Sequence, residues 1–181
     1  MLFDKKGPVN TETALQAAVE RGKSLGVRNY VVASNSGETA KKLRALGVDV
    51  VCVSHHTGFR KPGDQEMSVD VRQELENAGV KVLTTTHLFG GIDRGAESKF
   101  GGTYPGGLVA STLRMLGQGV KVGVEIAVMA LDAGLIPHGV DVIAIGGSGG
   151  GADTAIVVQP AHAKDFFDGR VREIICKPSI F

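Results

Sequence analysis

The chain has 181 residues, 43% of them hydrophobic, with 20 Lys and Arg against 19 Asp and Glu and a formal net charge of +1. That length and apolar content suit one domain, residues 1–181, with a substantial core. The near-balance of charge gives no electrostatic reason to expect nucleic acid or a membrane surface as partner, and no apolar run is long enough to span a bilayer.

The polar N-terminus holds no signal-type apolar segment. Cys52 and Cys176 sit in apolar runs and form no motif, which fits a reducing, cytoplasmic setting. In chain order, residues 11–25 read as a helix. Asn10 or Thr11 caps it, Ala14, Leu15, Ala18, Val19 and Leu25 form its apolar stripe, and Gly26 stops it. Residues 30–33 are a short β-branched run of the kind that fills the middle of a parallel sheet. A turn of small polar residues follows, and Ala40, Leu43 and Leu46 then mark a helix closed by Gly47. Asn35 with Glu38 reads as a capping box. Residues 48–54 and 80–85 are further strands, with an exposed helix at 68–77 between them. Residues 86–107 are glycine-rich and read as an irregular lid that buries Phe89, Ile92, Phe100 and Tyr104. Helices are expected at 108–116 and 122–133, and strands at 140–145, 155–159 and 171–176. Helix and strand alternate, which calls for a largely parallel sheet covered on both faces.

Ligands of such sheets bind outside the carboxyl ends of the strands, where the strand order reverses. Two stretches there are rich in small residues. The first is the turn Ser34, Asn35, Ser36, Gly37 and Thr39, whose following helix start offers unpaired N–H groups to an anion. The second is Gly146, Gly147, Ser148, Gly149, Gly150 and Gly151, leading to Asp153 and Thr154. It matches neither a dinucleotide fingerprint nor a Walker sequence, and a plain hairpin turn is its alternative. If the fourth strand lies beside the first, the two loops face each other and make an anion cradle. His55 and His87 each follow a core strand, and Thr57, Gly58 and Phe59 lie beside His55. Phe59 serves either as a ring to stack on or as core. Arg60, Lys61 and Arg94 lie close to these loops and could pair with a phosphate, with plain surface charge as their default reading. The histidines lack metal-ligand spacing, so no metal is expected.

The stretch 31–40, followed by a helix and the strand 50–54, resembles the start of the pyruvate kinase C-terminal domain. In that domain a hydroxyl-rich turn binds a phosphate of a sugar bisphosphate in some enzymes. The match is confined to this stretch and no catalytic barrel accompanies it, so pyruvate kinase activity is not implied. Over nearly the whole chain the sequence is similar to small stand-alone prokaryotic proteins of the pyruvate kinase C-terminal-domain-like family. Asn10-Thr11-Glu12, His55-His56-Thr57-Gly58-Phe59, Thr86-His87, Gly123-Val124-Glu125-Ile126 and the glycine loop carry that likeness. The resemblance implies a three-layer α/β/α sandwich. Its sheet is mixed but mainly parallel, of order 3-2-1-4-5, with the last strand antiparallel. It also implies FMN as a ligand, in a family of unassigned function.

The reading that follows is a protein binding FMN, or a similar phosphorylated ligand, at the carboxyl edge. The residues expected to line the site are Ser34, Asn35, Ser36, Gly37, Thr39, His55, Thr57, Gly58, Phe59, His87, Gly146, Gly147, Ser148, Gly149, Asp153 and Thr154. A regulatory sensor of a sugar phosphate or nucleotide is one alternative. An enzyme acting on a phosphorylated metabolite, with His55, His87 or Glu125 moving a proton, is another. Self-association into a homo-oligomer is left open.

Overall fold

In a computed structural model describing residues 1–180, the alternating pattern becomes one seven-stranded sheet between helical layers. The chain runs β1 (Leu2–Phe3), α1 (Thr11–Leu25), β2 (Asn29–Ala33), α2 (Glu38–Ala45), β3 (Asp49–Ser54), α3 (Val69–Asn77) and β4 (Lys81–Thr84). It continues through α4 (Gly91–Phe100), α5 (Pro105–Arg114), α6 (Gln118–Asp132), β5 (Val142–Gly146), β6 (Thr154–Gln159) and β7 (Arg170–Pro178). The sheet order is β1-β7-β6-β5-β2-β3-β4. Strands β5, β2, β3 and β4 pair in parallel, and β6 runs antiparallel to both β5 and β7. The expected 3-2-1-4-5 order is therefore found as β4-β3-β2-β5-β6, with its last member antiparallel. Strands β7 and β1 extend the sheet beyond it.

The period-2 alternation of the strands assigns each side chain to a layer. Tyr30, Val32, Val50, Cys52, Ile143 and Ile145 pack with Ala14, Leu15, Ala18, Leu43 and Leu75 of α1, α2 and α3. Val31, Val51, Val53, Val142 and Ala144 pack on the opposite face against Val120, Val124, Ala127 and Leu131 of α6. Crossovers through α2 and α3 thus carry the chain outward on one face. The long crossover through α4, α5 and α6 returns it on the other, and β5 lands beside β2. The crevice between the carboxyl ends of β2 and β5 is the switch point.

Helix α6 lies close on the sheet because two of its residues lack side chains. A Cβ at Gly119 would stand 2.1 Å from Thr154 Oγ1, and one at Gly123 would stand 3.0 Å from Ile156 Cδ1. The helix starts at Gln118, a turn earlier than its apolar pattern predicts. Residues 86–107 depart further from expectation. They hold α4 and the start of α5 rather than an irregular loop. No residue of α4 is buried, and although Ile92, Ala96 and Phe100 fall at helical spacing, Ile92 and Phe100 are 88% and 78% exposed and the glycines at 90, 91, 95, 101 and 102 give the stretch the look of a loop. No helix among the described residues is long and apolar enough to cross a membrane.

Candidate ligand-binding site

Gly37, with φ of 85°, is the residue that turns the chain from β2 into α2. The capping box expected from Asn35 and Glu38 does not form, and α2 has no side-chain cap. Glu38 points to solvent and lies 3.6 Å from Lys41. Among the described residues, the N–H groups of Gly37, Glu38 and Thr39 therefore have no acceptor. Ser34 Oγ is buried beside them and has no hydrogen-bond partner among the described residues. Cys52 lies behind the turn, its thiol 3.5 Å from Ser34 O, and burial pushes its pKa up to about 12, far from thiolate reactivity.

The glycine loop is a closed hairpin between antiparallel β5 and β6. A Cβ at Gly147 would stand 2.4 Å from Gly151 O, so the small residue is needed by the loop's own backbone. Asp153, fully buried, holds the loop from inside. Its Oδ2 accepts N–H groups from Ser148 at 3.1 Å and Gly7 at 2.8 Å, and its Oδ1 accepts the Thr154 hydroxyl at 2.8 Å. Thr11 Oγ1 takes the Ala152 N–H at 3.0 Å. Those bonds leave the N–H groups of Gly147, Gly149, Gly150 and Gly151 without acceptors in the described chain. Ser148 Oγ is a second buried hydroxyl with no partner among the described residues.

Both loops open onto one cavity of about 840 Å³. Its wall beyond β3 and β4 is a cluster of rings. His55 stacks on Phe59 with centroids 3.7 Å apart, and His87 lies 5.4 Å from His55 and 5.3 Å from Phe59. The Arg94 guanidinium stands over Phe59 at 5.9 Å, so a flat ligand ring on that face must displace it. Glu66 takes Arg60 Nε at 2.6 Å and His55 Nδ1 at 2.5 Å. Burial pushes the Glu66 pKa up, but the hydrogen bonds from Arg60 and His55, with the charge of Arg60, outweigh it and hold the carboxyl below its ordinary value. Burial lowers the His87 pKa; Glu125 opposes that, while His55, His56 and Lys121 add to it. Neither His87 ring nitrogen makes a hydrogen bond among the described residues, and the imidazole faces the cavity neutral.

The far wall is α6, where Lys121 pairs with Glu125 and both are buried. Glu125 also accepts the Phe89 N–H at 3.0 Å, and the Lys121 ammonium lies 5.4 Å from the Phe89 ring centroid. Glu125 is therefore mid-helix with its own cation rather than a first-turn residue serving the helix dipole. Arg94, Arg114 and Glu97 also line the cavity without a salt bridge among the described residues, and the Asp93 carboxylate accepts the Gly106 N–H at 2.7 Å.

A family model described as pyruvate kinase, alpha/beta domain, matches residues 12–158. The chain belongs to that family. It is also similar to a pyruvate kinase from Cryptosporidium parvum, at 15% identity and a TM-score of 0.43 over 84% of this chain and 24% of that one. A structure of Cryptosporidium parvum pyruvate kinase in complex with ADP matches at 16% identity and a TM-score of 0.39, over 78% of this chain and 21% of that one. The chain thus spans about a quarter or less of those enzymes' length, and likenesses this distant carry nothing about ligand or activity.

In this pyruvate kinase alpha/beta domain, Ser34, Asn35, Ser36, Thr39, His55, Phe59, His87, Gly147 and Gly149 all line the one cavity. Gly37, Thr57, Gly58, Gly146, Ser148, Asp153 and Thr154 do not. Gly37 and Gly146 serve the turns themselves, and a Cβ on Gly146 would stand 2.6 Å from Gly119 O. Thr57 takes Gln65 Nε2 at 3.2 Å, and Gly58 donates to Asp64 O at 2.8 Å, closing the 58–64 turn. Asp153 and Thr154 are fastened to each other beneath the loop. Glu66, Arg114, Lys121 and Glu97 were not foreseen as site residues. They reach the cavity from a loop and from three different helices, and no local pattern marks them. No group of three or more His, Cys, Asp or Glu among the described residues is placed to hold a metal.

Proposed function

We propose that this domain binds a phosphorylated small molecule, with FMN the leading candidate, in the cavity between the two small-residue loops. The observation that carries the reading is the buried Ser34 hydroxyl, unpartnered beside two sets of unpaired N–H groups. The buried Ser34 hydroxyl left unpaired costs about 1–3 kcal/mol, and the oxygens of one phosphate could accept from it and share the N–H groups of the turn and the loop among them. A volume of about 840 Å³ is within the range of sites for ligands of nucleotide size. The residues present fit FMN. Ser34, Thr39 and the Gly147 to Gly151 loop would hold its phosphate, and the cavity's Phe59, His87, Phe89 and Tyr104 offer apolar and polar ring surface for the isoalloxazine. Bound FMN would supply redox chemistry that no side chain here provides.

A second reading, acid–base chemistry on the same ligand, is favoured by His87. It is a neutral imidazole on the cavity wall with both ring nitrogens uncommitted.

Titration of the purified protein with FMN and with riboflavin, followed by flavin fluorescence, tests the primary reading. FMN is expected to bind at least about a hundredfold more tightly, because several charge-assisted bonds go to the phosphate. Equal affinities would remove the phosphate from the account, and no binding of either would remove the flavin.

A further inference from the structure

The hydrogen bonds around His55 admit a single assignment. The His55 backbone N–H can only donate, and it meets Asn35 Oδ1 at 3.1 Å. The Asn35 amide nitrogen therefore faces His55 Nε2, 3.1 Å away, and Nε2 must offer its lone pair. The ring proton then sits on Nδ1 and is donated to Glu66 Oε2 at 2.5 Å. Asn35 grips His55 with both ends of its amide, and it is itself the second residue of the turn that carries Ser34 and Thr39.

We propose that Glu66 and His55 are positioning residues for the anion cradle, holding the 34–39 turn through Asn35, and that they do so only while His55 is neutral. The inference rests on the reading of that turn as a ligand site. Once Nε2 carries a proton, His55 presents two donors to Asn35, whose amide has one acceptor. Turning the amide over moves the clash to the backbone N–H and does not remove it. Protonation thus breaks one of the two bonds that fix the turn. The surroundings of the ring are mixed. Glu66 favours the imidazolium, with Arg60 on its other oxygen, while the Arg94 guanidinium over Phe59 opposes further positive charge, and the rings of His56 and neutral His87 lie in the same cluster. Ligand affinity at this site accordingly falls in acid, through a residue that need not touch the ligand.

The test is NMR of the ligand-free protein between about pH 8 and about pH 5. The amide signals of residues 34–39 are expected to shift with the same midpoint as the His55 ring. In Asn35→Asp, the carboxylate can accept from both His55 donors, so His55 should become protonated at higher pH than in the wild type. FMN titrations over the same range give a second arm. The phosphate's own second ionisation near pH 6 weakens binding in any variant, so His55→Gln supplies the background. The wild type is expected to lose about three- to tenfold more affinity than His55→Gln, the worth of one hydrogen bond. Turn amides that ignore the His55 titration, an unmoved His55 in Asn35→Asp, or equal losses of affinity would overturn the proposal. Failure of FMN to bind at every pH counts against the ligand reading alone, and the ligand-free titration still decides this one.

Discussion

Lys121→Met should destabilise the protein by about 3–5 kcal/mol, lowering its melting temperature by roughly 10 °C. The Lys121 and Glu125 side chains are only 10% and 5% exposed, and the removed ammonium is the carboxylate's one cation partner among the described residues. What remains to Glu125 is the Phe89 N–H at 3.0 Å, far less than an ionised carboxylate needs once it has left water. The double variant Lys121→Met with Glu125→Gln should recover most of the loss, because a neutral amide tolerates burial and still accepts the Phe89 N–H. Thermal melts of the two single variants and the double close the cycle. A cost below about 1 kcal/mol for Lys121→Met would show that the pair behaves like a surface pair and that water in the cavity sustains the carboxylate.

Ser34→Ala should separate stability from function, moving them in opposite directions. The hydroxyl is buried and unpartnered in the ligand-free chain, so its removal should leave the melting temperature unchanged or raise it by a few degrees. FMN affinity should meanwhile fall about ten- to a hundredfold, the loss of one hydrogen bond to a charged group. Thr39→Ala should weaken FMN similarly. Its hydroxyl makes no bond within the described chain, and alanine suits the first turn of α2. A lowered melting temperature with intact affinity in either variant would make the turn a structural cap and leave the anion to the glycine loop alone.

Where a residue's environment is set by its neighbours in sequence, the sequence reading and the structure agree. Helix α1 runs from Thr11 to Leu25 as its stripe and Gly26 require, and the 30–33 run is β2, an interior strand of the sheet. The order of β4, β3, β2 and β5 is the one the family resemblance implies, where the alternation of helix and strand alone left the place of β5 open. Helix α4 was not legible because Gly90, Gly91, Gly95, Gly101 and Gly102 read as loop residues and outweigh the short row of Ile92, Ala96 and Phe100 at helical spacing. The start of α6 was hidden by Gly117 and Gly119, which look like turn residues. The Gly119 position is in fact a close approach to Thr154 inside the packed helix. The same ambiguity affects the site. Ser34 and the glycine loop stand out because small residues at a strand end have few other uses. Asp153 has the sequence context of a ligand contact, yet it is spent on Ser148, Gly7 and Thr154. Glu66 and Lys121 carry no local mark, since each is brought to the cavity by tertiary folding alone.

The central claim is that a phosphate rests between the 34–39 turn and the glycine loop. Amide NMR spectra recorded during titration with FMN, and separately with riboflavin, test it most directly. The account predicts that FMN displaces the amide signals of Gly37, Glu38, Thr39, Gly147, Gly149, Gly150 and Gly151, the donors in the two loops that lack acceptors among the described residues, and that riboflavin leaves them nearly unmoved. Displacements confined to the groove of Lys41, Arg44 and Leu75 between α2 and α3, or identical with both flavins, would contradict it.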